Sequence, residues 1–194
     1  MKNKTIGLID YNDYDIENLK DRLEYPLTDD NLEMYLRKNI NIINFSELKN
    51  YNNINQLLPK LNSYVIILIE EEQNKGHWIC MLKYKDKGKI VIEYFNSYGF
   101  EPGFEMRWFQ NRFGQDINYL TYLLDNNNYD VIYNKFKFQD INNPNSNVCG
   151  RYIVSRIIAM KNMKYNLEDY IAMMKKLKNK YKLKSYDLLI SLLI

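Results

Sequence analysis

Apolar and β-branched residues are concentrated in three consecutive runs, Ser63 to Glu70, Gly76 to Tyr84 and Lys89 to Phe95, which predict strands. Lys85-Asp86-Lys87-Gly88 between the last two predicts a hairpin turn, with Gly88 available for positive φ. Upstream, Pro26 to Lys38 reads as a helix: Thr28 or Asp29 can cap it, acids occupy its first turn and a basic pair lies near its end. Glu105 to Phe113 and Asp116 to Leu124 have helical patterns, and Val131 to Phe138 reads as a further strand. From Val148 onward, Gly150, Ile153, Val154, Ile157 and Ile158 recur at three-and-four spacing and predict a helix with a buried stripe. Asn166 can cap another helix through about Tyr181, and a short apolar helix follows. The expectation is an α+β fold, a central mixed or antiparallel β-sheet flanked by helices. One domain covers residues 1–194, with 1–25 as an N-terminal arm and 166–194 as a C-terminal helical segment.

Composition narrows the function. With 194 residues, 46% hydrophobic and 14% aromatic, the chain can bury a sizeable single core. The formal charge of +3 is too small to imply nucleic acid by itself. One His and two Cys are too few for a zinc finger or a disulfide framework, so a reducing, intracellular setting is expected. The apolar runs Val65 to Ile69 and Leu188 to Ile194 fall far short of the ~20 residues of a membrane helix, and the N-terminus lacks a secretory apolar region. Enrichment in Lys, Asn, Ile and Tyr, all with AT-rich codons, reports genome composition rather than chemistry.

The candidate chemistry is nucleophilic. His77, in Gly76-His77-Trp78-Ile79-Cys80, is the single imidazole. Strand alternation turns it away from Trp78 and Cys80, which leaves Cys80 as a small core residue and Trp78 as packing beside the site that supports the imidazole. Cys149 follows the loop Asn142 to Asn147 and opens the amphipathic helix, where the dipole and unpaired N–H groups favour a thiolate. Gly150 allows close approach of another element, and its N–H can face an oxyanion. A third polar group normally orients such an imidazole, and hairpin geometry brings Asn96 within reach of His77.

Gly76-His77-Trp78, then Tyr94-Phe95-Asn96-Ser97-Tyr98-Gly99, then Gln139 through Cys149-Gly150 resemble, in that order, the adenain-like cysteine peptidases. That branch also includes the SUMO-specific proteases. Its pattern is His-Trp, an acid in an aromatic-acid-Ser/Pro-x-Gly turn, a Gln, and Cys-Gly opening a helix. Pro144-Asn145-Ser146, three residues before Cys149, is similar to the adenovirus-type maturation protease, and Leu27 to Leu36 looks like the family's opening helix. The resemblance spans about residues 26 to 160. It departs twice. Asn96 stands where the family has an acid, and the ungapped match places Asn142 at the oxyanion Gln, with Gln139 three residues earlier as the alternative. Asn142 is slightly preferred.

The resemblance implies a Cys149–His77–Asn96 endopeptidase with Gly150 and Asn142 or Gln139 at the oxyanion. It would process capsid precursors at small-residue, Gly-containing sites during virion maturation. No metal is required. DNA or an activating peptide are the cofactors the family suggests, though a disulfide-linked peptide is not expected, since Cys80 is assigned to the core and Cys149 to the site. Lys161, Lys164, Lys175, Lys176, Lys178, Lys180, Lys182 and Lys184 read as a solvated helix face, or under the resemblance as a DNA contact. The chain is expected to act as a monomer, off membranes, in the virion and the host cytoplasm or nucleus. Two rivals are a deconjugating protease for ubiquitin-like modifiers and a non-catalytic DNA- or protein-binding scaffold of the same fold.

Overall fold

The computed structural model describes residues 16–37, 40–104, 107 and 112–194. Its centre is a five-stranded mixed sheet in the order β1-β2-β3-β4-β5, formed by β1 (Ile42–Asn44), β2 (Ser63–Glu72), β3 (Lys75–Asp86), β4 (Lys89–Phe95) and β5 (Asp130–Tyr133). The three long strands form an antiparallel meander, and the two short edge strands run parallel to their neighbours. Both faces are covered, which is why β2 reads as a continuous apolar run rather than an alternating one. Ile66, Leu68, Trp78, Cys80 and Phe95 face one helical layer. Ile67, Ile69, Ile79, Met81 and Tyr94 face a second core with Phe45, Leu48, Leu57 and Leu120. The fold is therefore α+β, a mixed sheet flanked by helices.

Short polar residues start most of the helices. Thr28 and Asn31 form a capping box on α2 (Asp29–Leu36), and Asn53 caps the single turn α3 (Ile54–Leu57). Asp116 caps α4 (Ile117–Asp125), Asn166 and Asp169 box α6 (Leu167–Lys180), and Ser185 caps α7 (Tyr186–Leu193). Residues 16–24 of the expected arm are helical, α1 (Ile16–Glu24). The expected helix over Glu105 to Phe113 lies mostly outside the described residues, and Arg112–Gly114 form a 3-10 turn. Among the described residues no helix is long and apolar enough to cross a membrane.

The centre of the helical layer is α5 (Cys149–Ile158), buried from Gly150 through Ile157. Arg156 near its end pairs with Glu93 of β4, both side chains fully buried. The guanidinium grips both carboxylate oxygens, at 2.8 and 2.6 Å, and the Tyr84 hydroxyl donates to the same carboxylate at 2.6 Å. This bidentate pair ties α5 to the sheet, so the start of α5 has a defined position over β3 and β4.

The strand expected over Val131 to Phe138 is shorter than the sequence suggests. Pairing with β4 stops at Tyr94↔Tyr133. Beyond it the Asn134 side chain replaces the backbone partner: its Oδ1 accepts from Asn96 N at 2.9 Å and its Nδ2 donates to Asn96 O at 2.7 Å. A side-chain amide thus completes the ladder, and the main chain is released into the segment that leads to Gln139.

Candidate active site

The β3–β4 register ends at Cys80↔Phe95. Past that point β4 parts from β3 through the turn Asn96-Ser97-Tyr98-Gly99, which lies beside His77. Gly99 N–H donates to Asn96 O at 2.9 Å, closing the turn. Gly99 has φ +74°, and a Cβ there would lie 3.0 Å from the main chain of Phe136, so glycine is required on both counts.

His77 is buried on β3, with Nε2 3.0 Å from Asn96 Oδ1. The same oxygen accepts the Tyr98 N–H at 2.9 Å. An atom that takes an amide proton is the carbonyl end of the side chain, so Nε2 must be the protonated nitrogen of the neutral ring. Nδ1 is then left with the lone pair. Tyr98 stacks on the imidazole, with centroids 4.3 Å apart and planes at 17°. Burial pushes the His77 pKa down to about 4, the bond to Asn96 opposing it in part. The resting imidazole is neutral at physiological pH.

Cys149 begins α5 and is half-buried. Val148, its N-cap residue, contributes no side-chain acceptor to the first turn. The sulfur takes that place: backbone N–H groups of Trp78, Gly150 and Cys149 itself point to it. Burial is the largest influence and raises the thiol pKa, Glu71 adds to the rise, and the three amides pull it back. The resting sulfur is therefore a thiol. Trp78 directly follows His77, so the amide that meets the sulfur is one residue from the imidazole. Gly150 makes this docking feasible, because a Cβ would stand 3.0 Å from Leu27 Cβ and 3.4 Å from Trp78 Cδ1.

The loop before Cys149 is also built from buried polar groups. Gln139 Nε2 donates to Ser146 O at 2.9 Å, and its Oε1 accepts from Ser97 Oγ at 2.8 Å. Ser146 Oγ donates to Asp187 Oδ2 at 2.8 Å, and Tyr152 OH donates to Asp187 Oδ1 at 2.9 Å. Asn142 is exposed, its N–H held by Asp140 Oδ1 at 3.0 Å. Between Tyr98 and this loop lies a cavity of about 260 Å³, lined by Tyr98, Phe100, Gln139 and Asn142 among others.

The structure thus draws His77, Asn96, Cys149 and Gly150 to one end of β3, with Gln139 joined to them through Ser97 and Ser146. Asn142, the slightly preferred oxyanion candidate, is exposed and lines the same cavity as the buried Gln139. Cys80 is fully buried in the core. Trp78 supports the other partner than expected. Its ring packs against Gly150 and its Nε1–H donates to Leu27 O at 3.2 Å, while the ring on His77 is that of Tyr98. Asn134 and Asp187 carried no sequence signal. Each acts through a partner far away in the chain. Among the described residues, no three His, Cys, Asp or Glu side chains cluster as metal ligands would.

No protein-family model matches the chain. Among solved structures it is similar to the ASFV pS273R protease, with a TM-score of 0.35 and 19% identity over 57% of this chain and 36% of that one. The chain spans only about a third of that protease's length. "Uncharacterized protein V9" of Sputnik virophage is 32% identical over 146 residues, 73% of this chain and 80% of that protein. With that identity over most of both sequences, the chain belongs to the family of the Sputnik virophage protein V9.

Proposed function

We propose that the chain is a cysteine endopeptidase in which Cys149 is the nucleophile, His77 the general base and acid, and Asn96 the residue that orients the imidazole. The observation that carries this reading is the contact set at the end of β3. The single imidazole is buried and bound through Nε2 to Asn96, and the next residue's amide meets the Cys149 sulfur. His77 Nδ1 takes the thiol proton as sulfur attacks the scissile carbonyl. Backbone N–H groups at the start of α5 and Gln139 Nε2, through its second hydrogen, stabilise the oxyanion. The imidazolium then protonates the leaving amine. Water, deprotonated by His77, hydrolyses the thioester and returns the thiol.

Substrates on this reading are structural precursor proteins of a virus-like particle, cut at small-residue, Gly-containing sites. The ordered motifs around His77, Asn96 and Cys149 and the kinship with a virophage protein support it. The test is to incubate wild type and Cys149→Ala with peptides containing Gly-Gly or Gly-x-Gly, with and without duplex DNA. Cleavage by wild type alone is expected, and equal absence of turnover in both proteins would overturn the reading. A ubiquitin or SUMO vinyl-sulfone probe run in parallel assigns the substrate. Labelling of Cys149 would move it from particle precursors to ubiquitin-like conjugates.

A further inference from the structure

We propose that Asn134 is a positioning residue for the imidazole, acting through Asn96; the inference rests on the catalytic reading of His77. Asn96 is fully buried, and its side-chain oxygen already serves two donors, His77 and the Tyr98 amide. The oxygen can hold the ring only if the Asn96 backbone is itself fixed. The sheet does not provide that, because β4 pairs with β3 only as far as Phe95 and with β5 only as far as Tyr94. Asn134 provides it. Its amide takes both the N–H and the C=O of residue 96, at 2.9 and 2.7 Å, and its Nδ2 also donates to Phe136 O at 3.1 Å.

Asn134 is itself buried, at 1% exposure, so water does not compete for these bonds. An alanine would leave the peptide groups of residue 96 without this partner inside the protein. The turn from Asn96 to Gly99 would then relax, and both Asn96 Oδ1 and the Tyr98 ring would drift from the imidazole. Shape and chemistry together make the role specific to an Asn: one acceptor and one donor, planar, on a short stem.

The single His makes the test unambiguous, because every imidazole signal in a proton–nitrogen spectrum comes from residue 77. In wild type the Nε2–H proton should be visible and slow to exchange. In Asn134→Ala that signal should be lost, and kcat on a cleaved peptide should fall at least tenfold with KM within about twofold. Asn134→Asp, which keeps the acceptor for Asn96 N–H, should retain more of both and serves if the alanine variant does not fold. Met174→Ala, a core truncation in the helical layer, is the control for general loosening and should keep the Nε2–H signal. Asn134 variants that match this control in signal and kcat would overturn the proposal. If wild type cuts no peptide, the catalytic reading fails by itself, and the spectra still decide whether Asn134 holds the ring.

Discussion

Asn96 Oδ1 stands 3.0 Å from His77 Nε2, and it is the neutral amide of this pair, not a carboxylate, that fixes the ring. Replacing Asn96 by Ala should therefore lower kcat by about a hundredfold through loss of orientation. Asn96→Asp should act differently. A carboxylate favours the imidazolium, so the His77 pKa should rise from about 4. Titration of the single imidazole by NMR measures this directly, and an unchanged value would contradict the contact.

Both His77 and Cys149 rest uncharged, His77 because burial lowers its pKa and Cys149 because burial raises its own. Peptidase activity should need neutral His77, so kcat/KM should fall only as pH drops towards about 4, and should persist above the ordinary thiol value. Iodoacetamide should inactivate the resting protein near neutral pH no faster than it alkylates a free thiol. Rapid, pH-independent inactivation across the neutral range would instead mean a preformed thiolate–imidazolium pair.

The same shift makes the fold sensitive to acid. An unfolded chain takes a proton on His77 below the ordinary value of 6.5, whereas the native one resists until about 4. The unfolded state binds more protons in that window, so stability is lost as pH falls through it, by about 3 kcal/mol in all. Asp187 has the opposite sign: burial raises its pKa, so the stability it contributes is lost as pH rises through that value. It is common to wild type and His77→Gln. Urea midpoints of the two proteins at neutral and acid pH should therefore diverge, with wild type losing more.

Glu93 and Arg156 form a fully buried ion pair. Glu93→Gln should destabilise the protein by about 3–5 kcal/mol, because it strands the guanidinium in the core. A double replacement by Leu and Met should cost much less, as no charge is left behind. Denaturation midpoints of the single and double variants check this. The double variant should still lose activity, since the grip that sets α5 over β4 is gone.

How much of this was legible depends on the range of each interaction. The three long strands, the Thr28 and Asn166 caps and the helix starting at Cys149 follow from local patterns, and the structure has them. The proximity of His77 and Asn96 could be read because one hairpin connects them. The two parallel edge pairings could not, since β1 is three residues long and parallel partners are joined by long connections. Val131 to Phe138 looked like one strand because its apolar spacing continues past Tyr133, while Asn134 ends the pairing from its side chain. Asp187 gave no cue either: a lone acid in an apolar helix has meaning only once Ser146 and Tyr152 are folded against it.

The sulfur rides on a helix and the imidazole on the sheet beneath it, and 72 residues of chain separate His77 from Cys149. Undocking α5 alone would disconnect them while β2, β3 and β4 kept their pairing. On gradual heating, catalytic output should accordingly vanish before the circular-dichroism signature of the strands begins to fade.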